Sequence, residues 1–199
     1  MDPNVVLNRV ARLARLDTSV FDEVRDDPNE TLPAVILAVI SSLLAGIGAF
    51  LWWKVIPDNF EPDNLFLNVV ILGTIFLVAM YGVAALVVYV VMAQMYRVQA
   101  DLQALIRVMG YASIPLAGSL LMFIPIIWPV FALVPLAVLL VMMIYAVQSA
   151  TAADSTHVVI ASVIGLAVLV LVCGLISTAG GSLDAPMGAG IFGVLLDLN

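Results

Sequence analysis

The sequence contains few charged residues and few residues that form crosslinks or bind metals. Charged side chains make up 11% of the 199 residues, and there is one cysteine and one histidine. A lone cysteine excludes an intrachain disulfide, and a lone histidine without a nearby cysteine argues against a zinc site. The net charge of −7 argues against nucleic acid as a partner, because phosphate binding requires a basic surface.

Hydrophobic residues are abundant instead. They make up 64% of the chain, whereas a soluble domain contains roughly half. A soluble globule of 21.2 kDa cannot bury so many hydrophobic residues, because the size of its core is limited by the surface-to-volume ratio. The composition therefore predicts an integral membrane protein and excludes an ordinary soluble enzyme, a disordered tail and a disulfide scaffold.

Five apolar stretches are long enough to cross a bilayer, which requires about 20 residues each. The 46 residues from Val108 to Ala153 carry no charge, and as one helix they would measure about 69 Å against a hydrocarbon core of about 30 Å. This stretch must reverse, and Pro125 and Pro129 place the reversal in the segment FIPIIWPVF. The predicted fold class is all-α, with five transmembrane helices at residues 33–56, 65–96, 109–124, 127–147 and 158–177.

The basic residues predict the orientation of these helices. Six of the seven lie in the N-terminal segment and the second connection, whereas the opposite side has Lys54 alone. Because basic residues stay on the cytoplasmic side, we expect a cytoplasmic N-terminus and an external C-terminus. The chain then divides into a cytoplasmic N-terminal segment (1–32), a transmembrane domain (33–177) and an extracytoplasmic tail (178–199).

The N-terminal segment has the pattern of a basic amphipathic helix. Val6, Val10, Leu7, Leu13 and Ala14 share one face, which suits the helix to the inner membrane surface. Ser19 and Asp22 fit a capping box that would start a second short helix. The segment is either a surface anchor or a docking site for another protein. The arginines of the other face are Arg9, Arg12 and Arg15.

The second connection, residues 97–107, also has helical spacing. Arg97 and Asp101 are four residues apart and are expected to pair. We expect this connection and the N-terminal segment to pack on each other beneath the membrane. Thr31 with Pro33 predicts the start of the first spanning helix. Asp63 or Asn64 is expected to cap the second.

No chemical site is expected. No acid, arginine or histidine lies deep in a predicted span, which argues against an ion-coupled transporter or an intramembrane protease. The acids of the first outer loop, Asp58, Glu61 and Asp63, lack calcium-loop spacing. We therefore expect no catalytic residue, metal or cofactor. Ser41, Ala45 and Ala49 recur every four residues and predict close helix packing.

Two segments resemble the Yip (Ypt-interacting protein) family over roughly residues 12–172. They are RLDTSVFDEVRDDP before the first span and LIRVMGYASIP leading into the third. Gly110, Tyr111 and Pro115 match a GY-x-x-x-P-like motif of that family, and Pro125 matches a proline-bearing turn between helices three and four. The acidic-aromatic pattern before the first span is matched by Asp17, Phe21, Glu23 and Asp27.

The resemblance implies a five-helix membrane protein with a cytosolic N-terminus and no catalytic activity. Eukaryotic members of the family bind prenylated Rab-type GTPases, and they have a long cytosolic N-terminal region. This chain is most similar to the short prokaryotic members, so a small GTPase is not its expected partner. The implied location is the prokaryotic cytoplasmic membrane.

The predicted function is a non-enzymatic adaptor or scaffold that engages membrane lipids, a protein partner or a second copy of itself. Two alternatives are an accessory subunit of a larger membrane complex and a small uncoupled channel or transporter. The apolar end of the tail, IFGVLLDLN, is too short to span and is expected at the outer interface or against a neighbouring subunit. The surface residues expected to bind partners are Arg9, Arg12, Arg15, Asp17, Phe21, Glu23 and Asp27.

Overall fold

A computed structural model describes residues 3–56, 64–151 and 153–179, and this part of the chain is all-α. Its α-helices are α1 (Pro3–Ala14), α2 (Val20–Asp26), α3 (Thr31–Val55), α4 (Gly73–Val90), α5 (Leu102–Ala112), α6 (Trp128–Thr151) and α7 (Ser155–Ala179). A 3₁₀ turn, Pro28–Glu30, leads into α3, and a 3₁₀ segment, Ile114–Phe123, continues α5. The π-helical stretches Phe66–Leu72 and Val91–Met95 flank α4.

The five predicted spans are confirmed within the described residues. The helical stretches long and apolar enough to cross a membrane are Pro28–Val55, Phe66–Met95, Leu102–Phe123, Trp128–Thr151 and Ser155–Ile176. The predicted reversal is also confirmed, because Ile127 N–H donates to Ile124 C=O (3.2 Å) across a turn that contains Pro125. Proline is favoured in such a turn since its fixed φ suits the second position.

The third span differs from its prediction. It begins at Leu102, seven residues before the predicted start at Met109, and its second half is a 3₁₀ helix. Eleven α-helical residues rise about 16 Å and ten 3₁₀ residues about 20 Å, because a 3₁₀ helix rises about 2.0 Å per residue. The 3₁₀ geometry therefore lets a short segment reach across the bilayer.

The first span, α3, packs against the second and third spans. Its contacts are with α4, α5 and the 3₁₀ segment 114–123, whereas α7 packs against α4 and α6. The predicted small-residue face is buried, with Ser41, Ala45 and Ala49 each no more than 3% exposed. These small side chains allow α3 to approach its neighbours closely.

Two predicted helix caps are wrong in detail, and the third, Asp63 or Asn64, can be checked at Asn64 alone because Asp63 lies outside the described residues. The turn before α3 is capped by Asp27, which accepts from Asn29 N–H (2.9 Å), and Thr31 instead donates its hydroxyl to Pro28 C=O. Ser19 precedes α2 without a side-chain cap, because its hydroxyl donates to Asp17 Oδ1 (2.6 Å). Asn64 has φ 56° and bonds to Asn68 N–H through its carbonyl (3.0 Å).

The expected pair between Arg97 and Asp101 is also wrong. Asp101 Oδ1 accepts from Gln103 N–H (2.9 Å) and so caps α5, while its Oδ2 lies 4.0 Å from Arg107 Nη2. Helix capping competes with the ion pair because it satisfies an otherwise unpaired backbone N–H. Asp58, Glu61 and Asp63 lie outside the described residues, as does the predicted tail from position 180 onward.

Candidate functional site

The segment before the first span folds against one end of the helical bundle. We call α1, α2 and their connections, residues 3–27, the N-terminal platform. α2 packs on α5 and α6, which confirms the expected packing between the N-terminal segment and the second connection. Phe21, in the first turn of α2, is fully buried, as are Val20 and Val24. The platform is thus part of the folded domain.

A buried carboxylate joins the platform to two spans. Glu30 is 8% exposed, and its Oε1 lies 2.5 Å from Arg9 Nη1 of α1. Its other oxygen, Oε2, accepts the phenolic hydrogen of Tyr111 at 2.5 Å. A buried charge is tolerated when it is paired and hydrogen-bonded, and here both carboxylate oxygens have partners.

A close helix contact brings these groups together. A Cβ built on Gly110 would lie 2.5 Å from Ala34 C=O in α3, so only glycine fits there without movement of the backbone. This approach places the next residue, Tyr111, beside the end of the first span that carries Glu30. The GY pair of the family motif thus combines a close contact with a hydrogen bond to a buried acid.

The corner between α1 and α2 is held by a second polar cluster. Arg12 donates to Asp17 (2.8 Å), Glu23 (2.7 Å) and the Ser19 hydroxyl (2.9 Å). Hydrogen bonds from Ser19 and from Arg12 lower the pKa of the Asp17 carboxyl below its ordinary value. The carboxylate therefore stays charged near neutral pH and keeps the corner closed.

Arg25 and Arg107 attach the platform to the ends of α5 and α6. Arg25 Nη1 donates to Ser149 C=O (2.8 Å), and the Ser149 hydroxyl donates to Asp22 (2.8 Å). Arg107 donates to the carbonyl of Arg25 through Nη2 (2.6 Å) and Nε (3.1 Å). These bonds join main-chain carbonyls as well as side chains, so they fix the position of α2 on the bundle.

Most of the residues expected on a partner-binding surface make contacts within the protein. Arg9 departs most from the helical-wheel prediction, because its side chain is 13% exposed and turned toward Glu30. Arg12, Asp17 and Glu23 pair with one another, Phe21 is buried, and Asp27 caps the turn before α3. Arg15 is exposed and forms no ion pair with a described residue. Whether any of these residues binds a partner stays a prediction.

Sequence reasoning missed four residues that hold the platform in place. Glu30 had a visible signal, because it is the last acid before a long apolar run. Arg25, Arg107 and Ser149 had none, since their partners lie far away in the chain. The apolar face of α1 was predicted in part, because Val6 and Leu13 are buried, whereas Leu7, assigned to the same face, is 65% exposed.

The openings between the helices include two apolar crevices. The larger, about 400 Å³, lies between α3, α4 and α5 and is lined by residues such as Ala38, Gly82 and Gly110. The smaller, about 230 Å³, lies between the end of α1, the third span and α6. Its lining includes Tyr111 and Pro115 of the predicted family motif. In the part of the chain that the structure describes, no cluster of three His, Cys, Asp or Glu side chains is placed to hold a metal ion.

The sequence matches a known protein family. Residues 17–178 match the Yip1 domain. The chain belongs to the Yip1 domain family. The matched region runs from the corner of the platform to the end of the fifth span, so this Yip1 protein is a multi-pass membrane protein along most of its length. No curated protein and no solved structure matches the chain.

Proposed function

We propose that this Yip1 protein is a non-enzymatic adaptor or scaffold of the prokaryotic cytoplasmic membrane, with its platform facing the cytoplasm. The observation that carries the proposal is the attachment of the platform to three spans through Glu30, Arg25 and Arg107. A platform attached in this way presents a pre-organised surface, which lowers the entropy cost of binding a partner.

The proposed orientation rests on the distribution of basic residues. Arg9, Arg12, Arg15 and Arg25 belong to the platform, and Arg97 and Arg107 lie in or next to α5 at the same end of the bundle. Since basic residues are retained on the cytoplasmic side, this end is assigned to the cytoplasm. Lys54 lies at the opposite end of α3.

The composition of the polar groups supports a non-enzymatic role. The ion pairs of the platform connect its own helices and the adjoining spans, and the two crevices have largely apolar walls. An enzyme site combines a pocket with convergent polar groups, and neither crevice has that character. Binding of lipids or of another protein requires only shape, apolar surface and peripheral charge.

The test is extraction from native membranes in a mild detergent, followed by native sizing and mass spectrometry of the comigrating material. Photo-crosslinkers at the exposed positions Asn8 and Ala11 of α1 probe the platform, and one at the exposed Leu175 of α7 serves as the control. We expect a stoichiometric protein partner that crosslinks from the platform and not from Leu175. A protein that migrates alone, or crosslinks equally from all three sites, overturns the platform-centred adaptor role.

A further inference from the structure

The smaller crevice has apolar walls, and an exposed arginine lies next to its lining residues in the chain. It is lined by the end of α1 (Leu13, Ala14, Leu16), by the third span near Pro115 and Gly118, and by α6 at Val138 and Met142. Arg15 stands between two of these lining residues and is exposed, without an ion pair to any residue in the described ranges. The neighbouring arginines Arg9 and Arg12 are neutralised by acids.

The crevice extends from the platform toward the middle of the bundle along α6. Along α6, Met142 and Val138 are seven and eleven residues before Ser149, the position that contacts the platform. At a rise of 1.5 Å per residue they lie roughly 10 and 16 Å below that contact. A crevice that opens at this depth beside spanning helices is exposed to lipid chains rather than to water.

Leu16 is a second sign of a lipid contact. It ends α1 in the left-handed conformation, with φ 63°, while Asp17 N–H bonds to Arg12 C=O (3.0 Å) and Leu16 N–H to Leu13 C=O (2.9 Å). This is the Schellman arrangement, in which glycine is favoured because a side chain is strained there. The leucine is also 68% exposed, so neither backbone preference nor packing within the described chain explains it.

We propose that this crevice binds one anionic phospholipid. An acyl chain lies between Leu16 and the third span, and Arg15 binds the phosphate-bearing headgroup. A long arginine side chain can reach from an apolar surface to the headgroup layer. Asp17 does not oppose an anion here, because Arg12 and Ser19 occupy its oxygens. The inference rests on the proposed adaptor role and deepens it by naming one class of partner.

The headgroup arm of the test uses purified full-length protein and native mass spectrometry. The protein is equilibrated with vesicles of equal parts phosphatidylglycerol and phosphatidylcholine that carry the same acyl chains. We expect one phosphatidylglycerol to be retained in preference. Arg15→Gln should lower that preference about fivefold, as for the loss of one arginine near an anionic lipid. Arg97 also forms no ion pair among the described residues, so Arg97→Gln is the matched control. It should leave the preference for phosphatidylglycerol unchanged.

The acyl-chain arm uses two changes inside the crevice. Leu16→Gly keeps the left-handed turn and removes the apolar side chain, so retention of both lipids should fall while the protein stays folded. Gly118→Leu fills the crevice, since a Cβ there meets only Pro135 Cγ at 3.5 Å, and should abolish retention. Equal retention of the two lipids by the natural protein, or no effect of either crevice change, overturns the site. Because no protein partner is present, failure here leaves the adaptor test unaffected.

Discussion

At the scale of single residues, the position of the platform depends on one buried acid. Glu30 has given up most of its hydration, and among the described residues Arg9 and Tyr111 compensate its charge. Removing one partner of such a group destabilises the protein by more than an ordinary hydrogen bond contributes to its stability, because the remaining group stays buried and unsatisfied.

Tyr111→Phe is therefore expected to destabilise the protein by about 1–3 kcal/mol, since it leaves one oxygen of Glu30 without a donor. The measurement is equilibrium unfolding in mixed detergent micelles. Tyr145→Phe is the matched control, because the Tyr145 ring is half exposed on α6. Equal loss of stability in the two variants would show that the bond to Glu30 contributes nothing specific.

The same residues show how far sequence reasoning reaches at this scale. Gly110 and Tyr111 were singled out by the motif that they match, and the structure places both at the contact between α3 and the third span. Arg9 was assigned to an outward face because a helical wheel treats the helix as isolated. The attraction of Glu30, on another element, turns that side chain inward.

At the scale of elements, the contact between α3 and the 3₁₀ segment 114–123 brings two backbones together. A Cβ on Gly48 would collide with Ser119 C=O, and a main-chain carbonyl cannot move aside as a flexible side chain can. The glycine is thus required by the approach of the two elements. Gly82 in α4 is different, because a Cβ there would meet nothing within 4 Å.

The same substitution should then have opposite effects at the two glycines. Gly48→Ala is expected to destabilise the protein by about 1–3 kcal/mol, because the elements must separate. Gly82→Ala should be neutral or stabilise by up to about 1 kcal/mol, since alanine is the better helix former. Unfolding in mixed micelles measures both, and a shift of the same sign and size in the two variants would rule out the close contact as the cause.

The form of the third span illustrates what sequence cannot supply for an element. Its apolar character predicted a helix over residues 109–124, and Pro125 gave its end. The 3₁₀ geometry of residues 114–123 was not predicted, because α and 3₁₀ helices share similar composition over short stretches. The 3₁₀ segment packs closely on α3 at Gly48. A packing partner this far away in the chain cannot be read from a local stretch of sequence.

At the scale of the whole molecule, two regions are held by different forces. The spans are held by apolar packing of residues such as Leu139 and Met143, whereas the platform also depends on carboxylate–arginine pairs. Low pH should therefore destabilise the platform before it destabilises the spans. The pKa of Asp17 is lowered by Ser19 and Arg12, and that of Asp26 by Arg25.

A lowered pKa means that the folded state favours the charged carboxylate. Its stabilisation is complete above the ordinary value of about 4 and is lost as the pH falls through the lowered value. Between pH 6 and pH 3, hydrogen exchange corrected for intrinsic rates should show that α2 loses protection before α3 does. Asp17→Asn should already show part of that loss at pH 6. Equal protection of α2 at both pH values would contradict the prediction.

Composition and local pattern were sufficient to predict the all-α membrane fold, the five spans, the reversal at Pro125 and the amphipathic character of α1. These features depend on the apolar length of each stretch and on neighbours in the chain, because a bilayer requires long apolar helices whatever their partners. Tertiary structure alone decided which polar groups from distant parts of the chain meet. Glu30 and Tyr111 are 81 residues apart, and Arg25 and Ser149 are 124 apart. Such contacts arise only when the spans pack together, so no local pattern carries them.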